Sequence, residues 1–160
     1  MRGSEGEDGN MPHAYSSNRI HIVFSTKYRE PVISHEFQPK LWAYLAGIAR
    51  KIGMQSVVVG GIDNHVHVFA LLPATLTLAR AAQLLKGNSS KWINDQGYAG
   101  ERFSWQEGYG AFSVSASQTP EVVRYVQNQA EHHKQRSFEQ EFISLLTRYG
   151  INHDADQALG

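Results

Sequence analysis

The chain has 160 residues, 41% of them hydrophobic, which is enough for one domain with a real core. It has no cysteine, so disulfides and thiolate–zinc sites are excluded, and it shows neither an apolar run long enough to span a bilayer nor a secretory signal pattern. The formal net charge is zero, which does not advertise a nucleic-acid partner, and these features together fit a cytoplasmic protein with no membrane association.

Residues 1–12 read as a flexible leader or an expression scar, with Met11 as a possible natural start. Without the first ten residues the chain keeps 14 basic and 12 acidic side chains, a net of +2. Residues 13–150 then read as a single domain and 151–160 as a C-terminal tail. The first strand is expected over 19–27, with Ile20, Ile22 and Phe24 on one face and His21, Val23 and Ser25 on the other. A helix follows over 34–52, capped by Ser34, apolar through Phe37, Leu41, Tyr44, Leu45, Ile48 and Ile52, and ended by Gly53. Two strands over 54–62 and 65–72, joined by the Asp63-Asn64 turn signal, read as an antiparallel hairpin.

The second of these strands carries His65 and His67. Alternate strand residues share a face, so the two imidazoles point the same way, about 7 Å apart along the chain. That spacing lets two histidines share a metal ion. An ordinary hydrogen-bonded pair on a sheet face is the competing reading.

A helix is expected over 77–94, then a glycine- and aromatic-rich loop over 97–110 and a short strand over 111–117. The next helix runs over 119–133, with Thr119 as N-cap, Pro120 at its first position and Glu121 at the positive end of its dipole. Val122, Val123, Val126 and Ala130 form its buried stripe. Tyr125 and Gln129 stand one turn apart beside it, with His132 and Arg136 further along. A last amphipathic helix is expected over 138–149 through Phe138, Phe142, Leu145, Leu146 and Tyr149.

A phenol, an amide oxygen and two imidazoles suit phosphodiester chemistry. A tyrosine hydroxyl can attack a backbone phosphate and form a covalent phosphotyrosine. A divalent metal held by His65, His67 and Gln129 would polarise that phosphate and offset charge in the transition state. A half-buried packing tyrosine and a solvated glutamine are the competing readings for Tyr125 and Gln129. Candidate DNA contacts are Arg19, Lys27 and Arg29 near the first strand, and Lys86, Lys91 and Arg102 beyond the hairpin. Lys86 and Lys91 bracket a stretch of small polar residues that would let a phosphate backbone approach closely, and an ordinary solvated helix is the alternative.

The order strand, helix, strand, strand, helix, strand, helix is that of an α+β, ferredoxin-like or RRM-like split β-α-β fold. Its antiparallel sheet would have helices packed on one face, leaving the other for a metal site and nucleic acid. The same layout admits an RRM-type binder that stacks bases on sheet aromatics, though Tyr125 and Gln129 have no role in such a binder.

Residues 20–29, the strand His65-Val66-His67, residues 85–92, residues 105–109 and Tyr125 with Gln129 occur in the order found in one family. Across roughly 19–133 the chain resembles the single-tyrosine HUH transposases of small bacterial insertion sequences, including REP-associated relatives. One position departs: the residue before the first histidine is often aspartate in that family and is Asn64 here. The resemblance implies metal-dependent cleavage and strand transfer of single-stranded DNA bearing hairpins, with Tyr125 as nucleophile. It also implies His65, His67 and Gln129 as ligands for Mg²⁺ or Mn²⁺, and a homodimer that can exchange its tyrosine helix, which the glycine- and serine-containing connection before that helix would permit. An HUH replication initiator or relaxase, and a non-catalytic hairpin-binding module, are the alternatives.

Overall fold

The computed structural model describes residues 15–154, so the expected leader and the last six residues of the expected tail lie outside the described residues. Strand β1 (Arg19–Ser25) is followed by α1 (Gln38–Lys51), β2 (Gln55–Gly61), β3 (His65–Leu71) and α2 (Leu78–Gln96). After these come β4 (Gly110–Ser113), α3 (Thr119–Gln127), α4 (Gln129–His132) and α5 (Phe138–Arg148). The four strands form one antiparallel sheet in the order β2-β3-β1-β4, the ferredoxin-like arrangement the element order implies.

Local signals account for most element ends. Gly53 takes a left-handed φ of 98° just past α1, where a side chain would be strained. Thr77 caps α2 by accepting the Arg80 N–H at 3.1 Å, and Gly97 ends it at φ 70°. Ser137 and Gln140 form a capping box at the start of α5. Strand β1 stops at Ser25, two residues before the expected end. There a 3₁₀ turn over Lys27–Arg29 puts Tyr28 and Arg29 at φ 57° and 56°. Strand β4 is likewise short, because Ser115 leaves the sheet to cap the next turn: its Oγ accepts the Gln118 N–H at 3.2 Å.

The tyrosine segment differs most from expectation. Thr119 is not the N-cap; its hydroxyl donates back to the Ser115 carbonyl at 2.9 Å, and the cap falls on Gln118. The helix is also not continuous to 133. Asn128 leaves helical geometry at φ −106° and ψ 32°, dividing α3 from α4. That break rotates the next residues, so Ala130, expected in the buried stripe, is exposed, and Gln129 is buried.

Strand alternation gives the sheet two faces. Ile20, Ile22, Phe24, Val66, Val68 and Ala70 point to one, where Leu41, Leu45 and Ala49 of α1 and Ala81, Leu85 and Ile93 of α2 cover them. Each large aliphatic side chain buried there contributes roughly 1.5–3 kcal/mol. The opposite face is not left open. Val23 and Phe112 pack against Phe138, Phe142 and Leu146 of α5, while Phe69 and Val114 pack against Val126 of α3. The helices therefore divide, with α1 and α2 on one face and α3 and α5 closing part of the other.

Candidate metal and tyrosine site

Strand β3 carries His65 and His67 opposite Ser25 and Val23 of β1, and both imidazoles are fully buried on the face that α3 and α5 close. His21 lies two residues from Val23 on the same side of β1, with its Nε2 2.7 Å from His67 Nδ1. Helix α3 reaches this face by lying directly on β2. A Cβ at Gly60 would fall 2.0 Å from the Val126 carbonyl oxygen, so only glycine permits the approach.

The approach sets Tyr125 edge-on to His67, with ring centroids 5.6 Å apart, and brings Gln129 inward. Gln129 Oε1 lies 3.0 Å from His65 Nε2, and its Nε2 donates to the Tyr125 carbonyl at 3.1 Å. Because a carbonyl only accepts, that bond fixes which end of the amide faces the histidines. The four residues expected to form the site from sequence are thus brought together. His132 sits against the Tyr125 ring at 4.5 Å. Two other tyrosines near loops, Tyr28 and Tyr109, are 67% and 39% exposed, and neither lies in this cluster. Tyr44 stacks on Trp92 at 4.2 Å, a packing role.

Three residues of the cluster were not singled out from sequence: His21, His133 and Glu141. Glu141 is the most consequential. It projects from α5 with 1% exposure, its Oε1 2.9 Å from His67 Nε2 and 3.3 Å from His65 Nε2. Its Oε2 accepts a hydrogen bond from the Tyr125 hydroxyl and lies 3.3 Å from His133 Nε2. A signal for it existed, because positions 138, 141, 142 and 145 share one helical stripe and only Glu141 in that stripe is charged.

Burial dominates the electrostatics. It lowers the His67 imidazole to about 4, against the opposing pull of Glu141, and lowers His21 to about 3 with help from His67. Burial pushes the Glu141 carboxyl up, but the His133, His65 and His67 rings packed against it outweigh burial and hold the group below the usual carboxylate range. Burial and then the Glu141 charge raise the Tyr125 phenol above its ordinary value, so the phenol keeps its proton at neutral pH. A cavity of about 220 Å³, lined by His21, Gln118, Tyr125, Arg136 and Arg148 among others, opens beside that phenol.

The cluster suits a cation. His65 Nδ1 lies 2.8 Å from Asn64 Oδ1, and the Asn64 amide nitrogen is directed at the Arg29 carbonyl at 3.5 Å. Asn64 therefore offers His65 the acceptor that an aspartate would. With its proton on Nδ1, His65 turns a lone pair toward two further acceptors, Gln129 Oε1 and Glu141 Oε1. The ligand atoms of His65, His67 and Glu141 lie within 4.8 Å of one another, close enough to share one ion.

The basic residues fall in two places. Lys27 and Arg29 lie on the turn after β1, where Arg29 meets Glu139 of α5 at 3.6 Å, at the rim of the cluster. Lys86 and Lys91 lie on α2, which covers the other face. Lys86 Nζ donates to the Gln106 and Gly108 carbonyls at 2.7 and 2.6 Å, and Lys91 pairs with Asp95 at 2.8 Å. Within the stretch they bracket, Ser89 is fully buried and accepts the Trp105 indole N–H at 2.9 Å.

Comparison with known proteins places this arrangement in context. A family model described as "Transposase IS200 like" matches residues 14–129. Two curated relatives, from Salmonella typhimurium (strain LT2) and Salmonella typhi, are each a transposase for insertion sequence element IS200. They are 23% identical over 135 residues, covering 81% of this chain and 88% of the relative. Among solved structures, a candidate transposase from Deinococcus radiodurans matches with a TM-score of 0.61 and 21% identity over 75% of this chain and 96% of its own. A REP-associated tyrosine transposase bound to a REP hairpin matches with a TM-score of 0.50 and 11% identity over 73% of this chain and 69% of its own. Both structures share the fold. No helix among the described residues is long and apolar enough to cross a membrane.

Proposed function

This chain belongs to the family of IS200-like transposases, and on that premise we propose that it cleaves and rejoins single-stranded DNA at hairpin-bearing sites through a tyrosine-linked intermediate. Tyr125 is the nucleophile. Its phenol oxygen bonds to phosphorus as the bond from phosphorus to the 3′ oxygen breaks, giving a 5′-phosphotyrosine and a free 3′-OH. The phenol proton must leave as that bond forms. Glu141 Oε2, which already accepts the phenol's hydrogen bond, is the group to take it, and a proton from solvent completes the departing 3′-OH. A 3′-OH on another strand later attacks the phosphotyrosine and releases the phenol. One phosphoester replaces another at each step, so rejoining needs no ATP.

His65, His67 and Gln129 would hold a divalent ion, Mg²⁺ or Mn²⁺. When bound, it supplies positive charge that polarises the phosphate and offsets charge in the transition state. Lys27 and Arg29, at the rim, meet the DNA backbone near the cleaved bond, and Lys86 and Lys91 meet it further away. The protein acts as a homodimer. Its tyrosine helix docks on the sheet of its own chain, so exchange between protomers would move α3 from one such sheet to an equivalent one.

One observation carries this reading: Tyr125 and Gln129, a turn apart, meet His65 and His67 with the phenol bonded to a buried carboxylate. An RRM-type binder fits less well, because Phe69 and Phe112 on this sheet face are buried under α3 and α5 rather than open to bases. The test is a denaturing gel of the protein incubated with Mn²⁺ and single-stranded DNA from the flanks of its own gene. A slower protein band carrying the oligonucleotide is expected. DNA binding with no such band would leave a hairpin-binding module in its place.

A further inference from the structure

We propose that His133 and Glu141 complete the metal site. The ion is then held by three imidazoles, an amide oxygen and a carboxylate, a set that favours Mn²⁺ and its first-row neighbours over Mg²⁺. This rests on reading His65, His67 and Gln129 as metal ligands and extends it to residues beyond the family match, which stops at Gln129.

Hydrogen-bond accounting at His133 carries the inference. His133 Nδ1 lies 2.7 Å from the Arg136 carbonyl oxygen. A carbonyl only accepts, so Nδ1 bears the proton and the Nε2 of a neutral ring presents a lone pair. That lone pair faces Gln129 Oε1 at 3.1 Å and Glu141 Oε2 at 3.3 Å. Turning the Gln129 amide over gives no relief, since its Nε2 is committed to the Tyr125 carbonyl. Acceptors thus face one another at hydrogen-bond distance with no hydrogen between them, and His65 repeats the pattern with the same two residues. Such a set is costly in a buried place unless a cation lies among its atoms.

Spacing agrees with chemistry. Five nitrogen–oxygen contacts in the cluster run from 2.9 to 3.3 Å, and the ligand atoms of His65, His67 and Glu141 all lie within 4.8 Å of one another. Ligand atoms roughly 2.1 Å from a shared ion and adjacent to one another lie about 3 Å apart. The donor set also discriminates. Mg²⁺ prefers oxygen ligands and its own water, whereas imidazole suits the first-row transition ions. A third imidazole in place of an oxygen therefore shifts preference toward Mn²⁺ and later ions. The carboxylate balances part of the ionic charge in a buried site.

Glu141 reaches the cluster because Phe138, Phe142 and Leu146 dock α5 against Val23 and Phe112. Metal binding and the seating of α5 are therefore linked, and each stabilises the other.

The test is calorimetric titration of the full chain with Mn²⁺ and with Mg²⁺, in the wild type, His133→Ala, Glu141→Gln and His65→Ala. Mn²⁺ should bind the wild type at least about tenfold more tightly than Mg²⁺, and His133→Ala and Glu141→Gln should each weaken Mn²⁺ by at least about tenfold. A second readout needs no variant: pulsed electron paramagnetic resonance of Mn²⁺ on the wild type should detect three coordinated imidazole nitrogens. Two nitrogens, with wild-type affinity in both variants, would mean that His133 and Glu141 stand outside the metal's ligand set. That result overturns the proposal and leaves the reading of His65, His67 and Gln129 intact, provided His65→Ala loses Mn²⁺. Unchanged Mn²⁺ affinity in His65→Ala as well would remove both.

Discussion

The two faces of the sheet are built from alternate residues of the same strands and are held by different physics. Ile20, Ile22, Phe24, Val66, Val68 and Ala70 meet α1 and α2 through apolar contact alone. His21, His65 and His67, one residue out of phase, meet α3 and α5 through close polar contacts with Gln129, Glu141 and one another. The first face depends on area and volume, so changes of shape cost stability. The second depends on which atoms donate and which accept, so a change of one atom can remove function while leaving the fold in place. A one-residue slip in β3 would exchange the two faces, which pins the register strongly.

The largest separation of the two faces is expected from Tyr125→Phe. Adduct formation should fall at least about a thousandfold, to an undetectable level on a denaturing gel, while hairpin binding stays near wild type, because only one oxygen is lost. A persisting adduct would move the nucleophile elsewhere. Next comes Leu45→Ala on the other face, where Leu45 is fully buried against the sheet. It should cost about 2–5 kcal/mol in urea unfolding, with Mn²⁺ affinity of the folded protein unchanged. A coupled loss of metal binding would show that the two faces are not independent. His67→Ala should do the reverse and weaken Mn²⁺ sharply in calorimetry, and unchanged binding would take His67 out of the site.

A smaller effect is expected from pH in the presence of a chelator. Burial holds His67 near 4 and His21 near 3, both below the ordinary imidazole value of 6.5. As pH falls below 6.5 the unfolded chain takes up protons that the native site resists, so the native state loses stability. The melting temperature should therefore be level above about pH 7 and fall between about pH 6.5 and 4. Leu45→Ala should lower that curve without changing its shape. A flat profile through the window would mean that these rings are not buried neutral.

Much of this was legible in the sequence, for identifiable reasons. The element order, the shared face of His65 and His67, the helix end at Gly53 and the Tyr125–Gln129 offset follow from local periodicity and turn chemistry. The break at Asn128 was not legible, because no proline or glycine marks it, and it exposes Ala130, which the periodicity puts in the buried stripe. Glu141 was hidden for another reason. A glutamate in an amphipathic helix ordinarily faces water, and only its place within the apolar stripe of α5 distinguishes it. Lys86 looked free for phosphate, yet the fold gives it two loop carbonyls that lie twenty and more residues away.

The smallest effect is expected at Lys91, which is exposed and paired with Asp95 on its own helix. If it touches phosphate, Lys91→Ala should weaken DNA binding across sequences and reduce the salt slope by about one unit. Wild-type salt dependence would confine DNA contact to the Lys27 and Arg29 rim.

The central claim is that Tyr125 becomes covalently linked to DNA. Tandem mass spectrometry of the nuclease-trimmed protein–DNA adduct, formed in Mn²⁺ with flanking single-stranded DNA, tests it most directly. The modified peptide should carry its nucleotide remnant on Tyr125 alone among the seven tyrosines. A remnant on Tyr28, Tyr109 or any other residue, or hairpin DNA bound with no covalent remnant at all, would contradict it.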